Sequence, residues 1–286
     1  PRTALTRALL PRSQASGPDD VTPWAMDRTN DVRRALESGD PVVGAGASTF
    51  APEMVETYGA IGLDFVWLDF EHDGPSPYDT RLLNGLTRAA EVAGTELLTR
   101  LPSEDPHLVR RVLDAGVRNI LIPRITSAKQ VREAAEAARF RYDGDPGERG
   151  ASQSRVTRWG TDTDGYVDEE DAAVALGVMV EDRAAVEAID AILDVPALSF
   201  VFVGPADLST SLGHPGEKSH PEVREAVSRV ETAVADSEVA LAGIANDAET
   251  AAAKRGRGYG LLRVGADIEV VHDALGDRVG SIRDRL

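Results

Sequence analysis

Cysteine is absent from the 286 residues, which excludes disulfides, thiolate metal sites and cysteine nucleophiles. Lysine is nearly as scarce, confined to Lys129, Lys218 and Lys254. No apolar run approaches the roughly 20 residues a membrane span needs, so a membrane protein is not expected. Basic surplus is missing too: the formal net charge is −17, and a nucleic-acid backbone would be repelled by such a surface. Abundant carboxylates with so little lysine suit a salt-adapted cytoplasmic protein, whose acidic surface holds water and cations.

What is present divides into a tail and a body. Residues 1–26, rich in Pro, Ser and Thr, read as a disordered tail, with Met26 as an alternative start. Their apolar stretch ALTRALL is broken by arginine and does not make a signal peptide. Residues 27–286 read as a single domain.

Within that domain, short apolar runs alternate with helical patterns. The runs are PVVGAGAS (41–48), FVWLDFE (65–71), ELLTRLP (96–102), NILIPRI (119–125), GVMVED (177–182), FVFVGPADL (200–208), VALAGIAN (239–246) and GLLRVGAD (260–267). Between them, segments such as PHLVRRVLDAG and PEVREAVSRVETAVADS place apolar residues three and four apart. Nearly continuous apolar strands are buried on both faces, as in a parallel sheet. Eight of them, each followed by a helix, predict a (β/α)₈ TIM barrel, with an open doubly wound sheet as the alternative. One connection is abnormally long, running from about Ala138 to Gly177. It carries Trp159 and Tyr166, and is expected to be an ordered loop over the site.

Barrel active sites lie at the C-terminal ends of the strands, so the strand-ending residues are the candidates. The second run delivers Asp69, Glu71 and His72; the third Arg100; the fifth Glu181 and Asp182; the sixth Gly204, Pro205, Ala206 and Asp207; the eighth Asp267. Glu181 and Asp207, on neighbouring strands, could converge on a hard cation such as Mg²⁺ or Mn²⁺. Helix capping is the competing reading for Asp182 and Asp207, and is less apt for Glu181 because glutamate is a poor N-cap. His72 is the one histidine at a strand end, beside carboxylates that suit a general acid or base. Arg100, closing an apolar strand, needs an anionic partner: a substrate oxygen, or internally Asp69 or Glu71. The GPADLS turn offers main-chain N–H groups for a carboxylate.

Taken together, DFVWLDFEH, LLTRLPSEDP, LDAGVRNILIPRI, ARFRYDGDPGERG, SRVTRW, VFVGPADLSTSLG and HPEV resemble the HpcH/HpaI aldolase family over roughly residues 30–275. The resemblance implies a metal-dependent pyruvate aldolase that cleaves a 4-hydroxy-2-oxo acid to pyruvate and an aldehyde through a metal-stabilised enolate. It implies Glu181 and Asp207 as ligands of Mg²⁺ or Mn²⁺, with Co²⁺ a third option. Arg100 would steady the keto oxygen, and His72, oriented by Asp69, would relay protons. The main chain at Ala206 and Asp207, in the Gly204–Pro205 turn, would hold the pyruvate carboxylate. Glu71 would help order the network. A homo-oligomer, hexamer or trimer, with the last helix exchanged between subunits, is also implied. Apart from the resemblance, Arg124 in IPRI adds a basic group near the mouth that would favour an acidic aldehyde.

No lysine ends a strand, so a Schiff-base aldolase has no candidate nucleophile. Met179 stands where a glutamine is usual in the family, and the GAGASTF segment lacks an aromatic residue common there. The alternatives are a CoA-thioester lyase of the citrate lyase β or malyl-CoA type, to which the acidic surface offers little, and a catalytically weak keto-acid-binding barrel.

Overall fold

The computed structural model describes residues 28–286, so the expected tail lies outside the described residues. Eight parallel strands close into a barrel in the order β1-β10-β9-β8-β7-β4-β3-β2. They are β1 Val42–Gly46, β2 Phe65–Asp69, β3 Glu96–Arg100, β4 Asn119–Ile122, β7 Ala175–Val180, β8 Leu198–Val203, β9 Ala240–Ile244 and β10 Tyr259–Ala266. The closed sheet excludes the doubly wound alternative. Alternation along each strand sorts the side chains into two cores. Phe65, Trp67, Leu98, Leu121, Met179, Phe200, Phe202 and Leu261 fill the barrel interior, while Val66, Leu68, Leu97, Ile120, Val178 and Val201 pack outward against the helices.

Two glycines let the interior hold that many rings. A Cβ on Gly44 would stand 2.4 Å from the Phe65 ring, and one on Gly177 would stand 2.1 Å from the Phe200 ring.

The outer helices include α2 Pro52–Ala60, α3 Thr80–Ala93, α4 Pro106–Asp114, α5 Ala128–Ala138, α10 Pro221–Ala235 and α11 Ala248–Arg255. The helical patterns named above omit α3, although its ends carry clear signals. Asp79 accepts the Leu82 N–H as N-cap, and Gly94 closes the helix at φ 67°. A short first helix, α1 Asp31–Glu37, plugs the N-terminal mouth, with Val32 joining the interior cluster.

The long connection is ordered, but it does not cover the expected end of the barrel. It holds the hairpin β5 Arg141–Tyr142/β6 Asp145–Pro146, a 3₁₀ turn and α6 Tyr166–Ala173. These pack around the N-terminal ends of the strands, where Asn30 bonds both Asn119 and Ala173 O at 2.8 Å. The reason is topological: a segment that follows a helix and precedes a strand emerges at the strand N-termini. Its centre is Glu170, fully buried, with Arg118 and Arg149 each at 3.0 Å and Arg28 at 3.9 Å.

The last helix, α12 Asp267–Arg283, behaves differently from the others: Asp267 is its one buried residue. Ile268, Val271, Leu275, Val279 and Ile282 form an exposed apolar stripe at three- and four-residue spacing. Among the described residues, no helix is long and apolar enough to cross a membrane.

Candidate active site

Asp69 ends β2 and lies opposite Arg100 in the β2–β3 ladder. That register decides its partners. Its carboxylate accepts Arg100 Nε at 3.0 Å and takes Nη2 in a second, shorter contact. It also accepts the main-chain N–H groups of Glu71, at 3.0 Å, and His72, at 3.3 Å, which folds the turn after the strand. Burial alone would raise the Asp69 carboxyl, but the Arg100 pair outweighs it and holds the group below its ordinary value.

The expected Asp69–imidazole contact is thus replaced, because both Asp69 oxygens are engaged by Arg100 and the main chain. The His72 ring instead faces Glu71, with Nε2 3.5 Å from Oε2, and its side chain is 61% exposed. Glu71 also reaches Arg100 Nη1 at 2.9 Å. Arg100 therefore has two internal carboxylate partners. Burial would lower its pKa, yet Asp69, Glu71 and Glu181 together keep it above the usual value. Met179, pointing into the barrel, places its Sδ 3.5 Å from Arg100 Nη1, a weak acceptor where a polar one was expected.

Across the mouth, Glu181 follows β7. Its Oε1 accepts the Arg124 N–H at 2.7 Å. Arg124 reaches that geometry at φ 55°, and its side chain is exposed, so its contact with the site runs through the main chain. Burial pushes the Glu181 carboxyl up; the Arg124 N–H opposes this, while repulsion from Glu71 and Asp207 adds to it. Glu181 Oε2 and Glu71 Oε2 are both buried without a hydrogen-bond partner, the latter lying beside Arg100 but out of line with its N–H. Gly204 gives Glu181 its room, since a Cβ there would stand 3.0 Å from Oε2.

Asp182 caps α7 Arg183–Glu187 through the Ala184 N–H. Asp207 instead lies in the first turn of α9 Pro205–Ser211, whose N-cap is Gly204, and its side chain is exposed. Pro205 starts that helix, leaving the Ala206 and Asp207 N–H groups in a turn with no helical acceptor. Asp267 does not join the site: it is buried and binds the Ser48 and Thr49 N–H groups, tying β10 to the loop after β1.

Among the described residues, the side chains whose ligand atoms lie close enough together to share a metal ion are His214, His220 and Glu222, and they have other work. His220 Nδ1 accepts the Glu222 N–H at the start of α10. Glu222 then pairs with His214 at 2.9 Å and Arg183 at 3.0 Å. Missing from the sequence-derived candidates is Arg263, on the inward row of β10. The signal was an arginine inside an otherwise apolar strand, the same signal that singled out Arg100.

The HpcH/HpaI aldolase/citrate lyase family profile matches residues 47–274. A hydroxypyruvate/pyruvate aldolase from Roseovarius nubinhibens is 32% identical over 240 residues, covering 84% of this chain and 91% of that protein. A 2-keto-3-deoxy-L-rhamnonate aldolase from Salmonella gallinarum is 31% identical over 255 residues, covering 89% and 94%. Among solved structures, an HpcH/HpaI aldolase/citrate lyase family protein from Burkholderia cenocepacia J2315 superposes with a TM-score of 0.83 at 33% identity, covering 89% of this chain and 100% of that one.

Proposed function

The chain belongs to the HpcH/HpaI aldolase/citrate lyase family, and on that premise we propose that it is a divalent-metal-dependent aldolase cleaving a 4-hydroxy-2-oxo acid to pyruvate and an aldehyde. The observation that carries the reading is Glu181 Oε2, buried without a hydrogen-bond partner and repelled by the charges of Glu71 and Asp207. A buried carboxylate oxygen in that state suits a hard cation such as Mg²⁺ or Mn²⁺. Glu181 and Asp207 would hold it, with Glu71 alongside. When bound, such a cation polarises the keto oxygen of the oxo acid.

The remaining work falls to the chain. Arg100, fixed on two sides by Asp69 and Glu71, is aimed at the keto oxygen, where negative charge grows as the C3–C4 bond breaks. His72 accepts the proton of the C4 hydroxyl, C4 becomes the aldehyde carbonyl, and the bond electrons pass to the oxo acid as an enolate. A proton returned to C3 completes pyruvate. An exposed imidazole exchanges that proton readily with solvent. The main chain of Gly204, Ala206 and Asp207 lines the carboxylate end.

Purified protein with Mn²⁺ or Mg²⁺ is expected to release pyruvate from 4-hydroxy-2-oxo acids, read by a coupled dehydrogenase assay. EDTA should suppress turnover by about 100-fold or more; an undiminished rate would overturn the metal requirement. His72→Ala should lower kcat by about 10²–10³-fold with an unchanged circular dichroism spectrum, because the ring is exposed.

The stripe on α12 fits a homo-oligomer in which this helix packs on a neighbouring copy. A chain ending at Glu269, which keeps the Asp267 contacts, is expected to fall to monomer mass in light scattering. If the truncated and full chains assemble alike, the interface lies elsewhere.

A further inference from the structure

Arg263 pairs with Gly44 in the β1–β10 ladder and continues the inward row from Leu261. Its surroundings are shaped for a guanidinium. A Cβ on Gly46 would stand 2.7 Å from its Nη2 and 3.3 Å from its Nε, so that glycine makes its room. The Trp67 ring lies 5.6 Å from Arg263 Cζ and 5.8 Å from Arg100 Cζ, so one indole serves both arginines.

The two arginines differ in what neutralises them. Arg100 has Asp69 and Glu71 in direct contact. Arg263 has no ion pair among the described residues, and its Nε is buried without a hydrogen-bond partner. Burial lowers its pKa; the more distant Asp69 offsets part of this, and Arg100 adds to the lowering. Arg263 as a whole is half-buried, and the one buried donor it leaves unused is costly unless a ligand completes it.

Its place in the barrel says which end of a ligand that is. Glu181 and Asp207 follow β7 and β8, whereas Arg263 comes from β10, beside β1 and beyond β9. An oxo acid held at the two carboxylates and extending across the mouth towards β10 and β1 would bring its far end to Arg263. We propose that Arg263 is a specificity-determining residue that binds a carboxylate on the aldehyde half of the substrate, so that the aldehyde product is itself an acid. This rests on the aldolase reading. A planar fork fits a carboxylate at two points. A monoanion also suits a mouth already holding Asp69, Glu71, Glu181 and Asp207 better than a phosphate dianion does.

The test runs in the synthetic direction with pyruvate and paired aldehydes, glyoxylate and succinic semialdehyde against propanal and pentanal. The unmodified protein should favour an acidic aldehyde by about 100-fold in kcat/KM. Arg263→Met should erase that preference through KM for the acidic aldehyde, leaving the neutral ones within about threefold, and Arg263→Lys should restore part of it. No preference in the unmodified protein overturns the proposal. So does an equal loss on acidic and neutral aldehydes, which would place Arg263 at the oxo-acid end. Exchange of pyruvate methyl protons with deuterated solvent, followed by NMR, needs only the oxo-acid half and should survive in Arg263→Met. Its absence from the unmodified protein would sink the aldolase reading and this proposal together; its presence without an acidic preference would sink this proposal alone.

Discussion

Glu181→Gln is expected to reduce kcat/KM by at least about 10³-fold, roughly 4 kcal/mol of transition-state stabilisation. The substitution keeps the side-chain shape and an oxygen for the Arg124 N–H, while removing the negative charge. What it deletes is therefore the charge of a candidate ligand, in a place where Gly204 leaves room for little else. The effect on stability should run the other way. Burial and the like charges of Glu71 and Asp207 already disfavour ionised Glu181, so a neutral amide relieves the cation-free protein. Mn²⁺ binding by calorimetry should weaken strongly, and the EDTA-treated variant should melt at or above the temperature of the EDTA-treated parent. Turnover retained within about threefold would move the cation site elsewhere.

Glu170→Ala is expected to do the reverse. Glu170 and Arg149 have fully buried side chains, with Arg118 and Arg28 nearly so. Removing Glu170 takes away the fully buried carboxylate that Arg118 and Arg149 share, while Arg28 keeps Asp162 and Glu169, at a cost of about 3–5 kcal/mol. For a chain of this size that corresponds to a fall of roughly 6 °C or more in melting temperature. Glu170→Gln should lose less, since an amide oxygen can still accept from one arginine. The folded fraction should keep its kcat/KM, because this cluster gathers at the strand N-termini and the candidate site at their C-termini. A melting temperature within about 1 °C of the parent would show that the cluster contributes specificity of folding without stability.

The barrel was readable because strands buried on both faces leave unbroken apolar runs, and these recurred with helical segments between them. Boundaries drifted where the chain changes direction. FVFVGPADL read as one strand, but Pro205 starts a helix, so Asp207 arrives on the first turn of α9. Glu181 stood out because glutamate caps poorly, and Asp182 beside it does the capping. The link between Asp69 and His72 was misjudged for a physical reason. The resemblance implied Asp69 as the partner of the imidazole, but the cross-strand register sets Asp69 against Arg100, and the carboxylate beside the ring is Glu71. Aromatic residues in the long connection suggested a cover for the site, but its position between a helix and a strand sends it to the opposite mouth. Arg263 shows the limit of reading strand ends alone: it lies inside β10, and only the closed barrel brings it beside Trp67.

The exposure of α12 bears on how the molecule unfolds. A helix of 17 residues whose one buried side chain is Asp267 receives little tertiary support from its own barrel, and most helical stability comes from packing an amphipathic face. In the proposed homo-oligomer, the barrel and its last helix would be separate cooperative units, with the helix drawing its stability from mass action between chains. The melting temperatures expected above for the Glu181 and Glu170 variants then belong to the barrel unit. The far-ultraviolet signal of the helix would depend on dilution while the Trp67 environment inside the barrel would not.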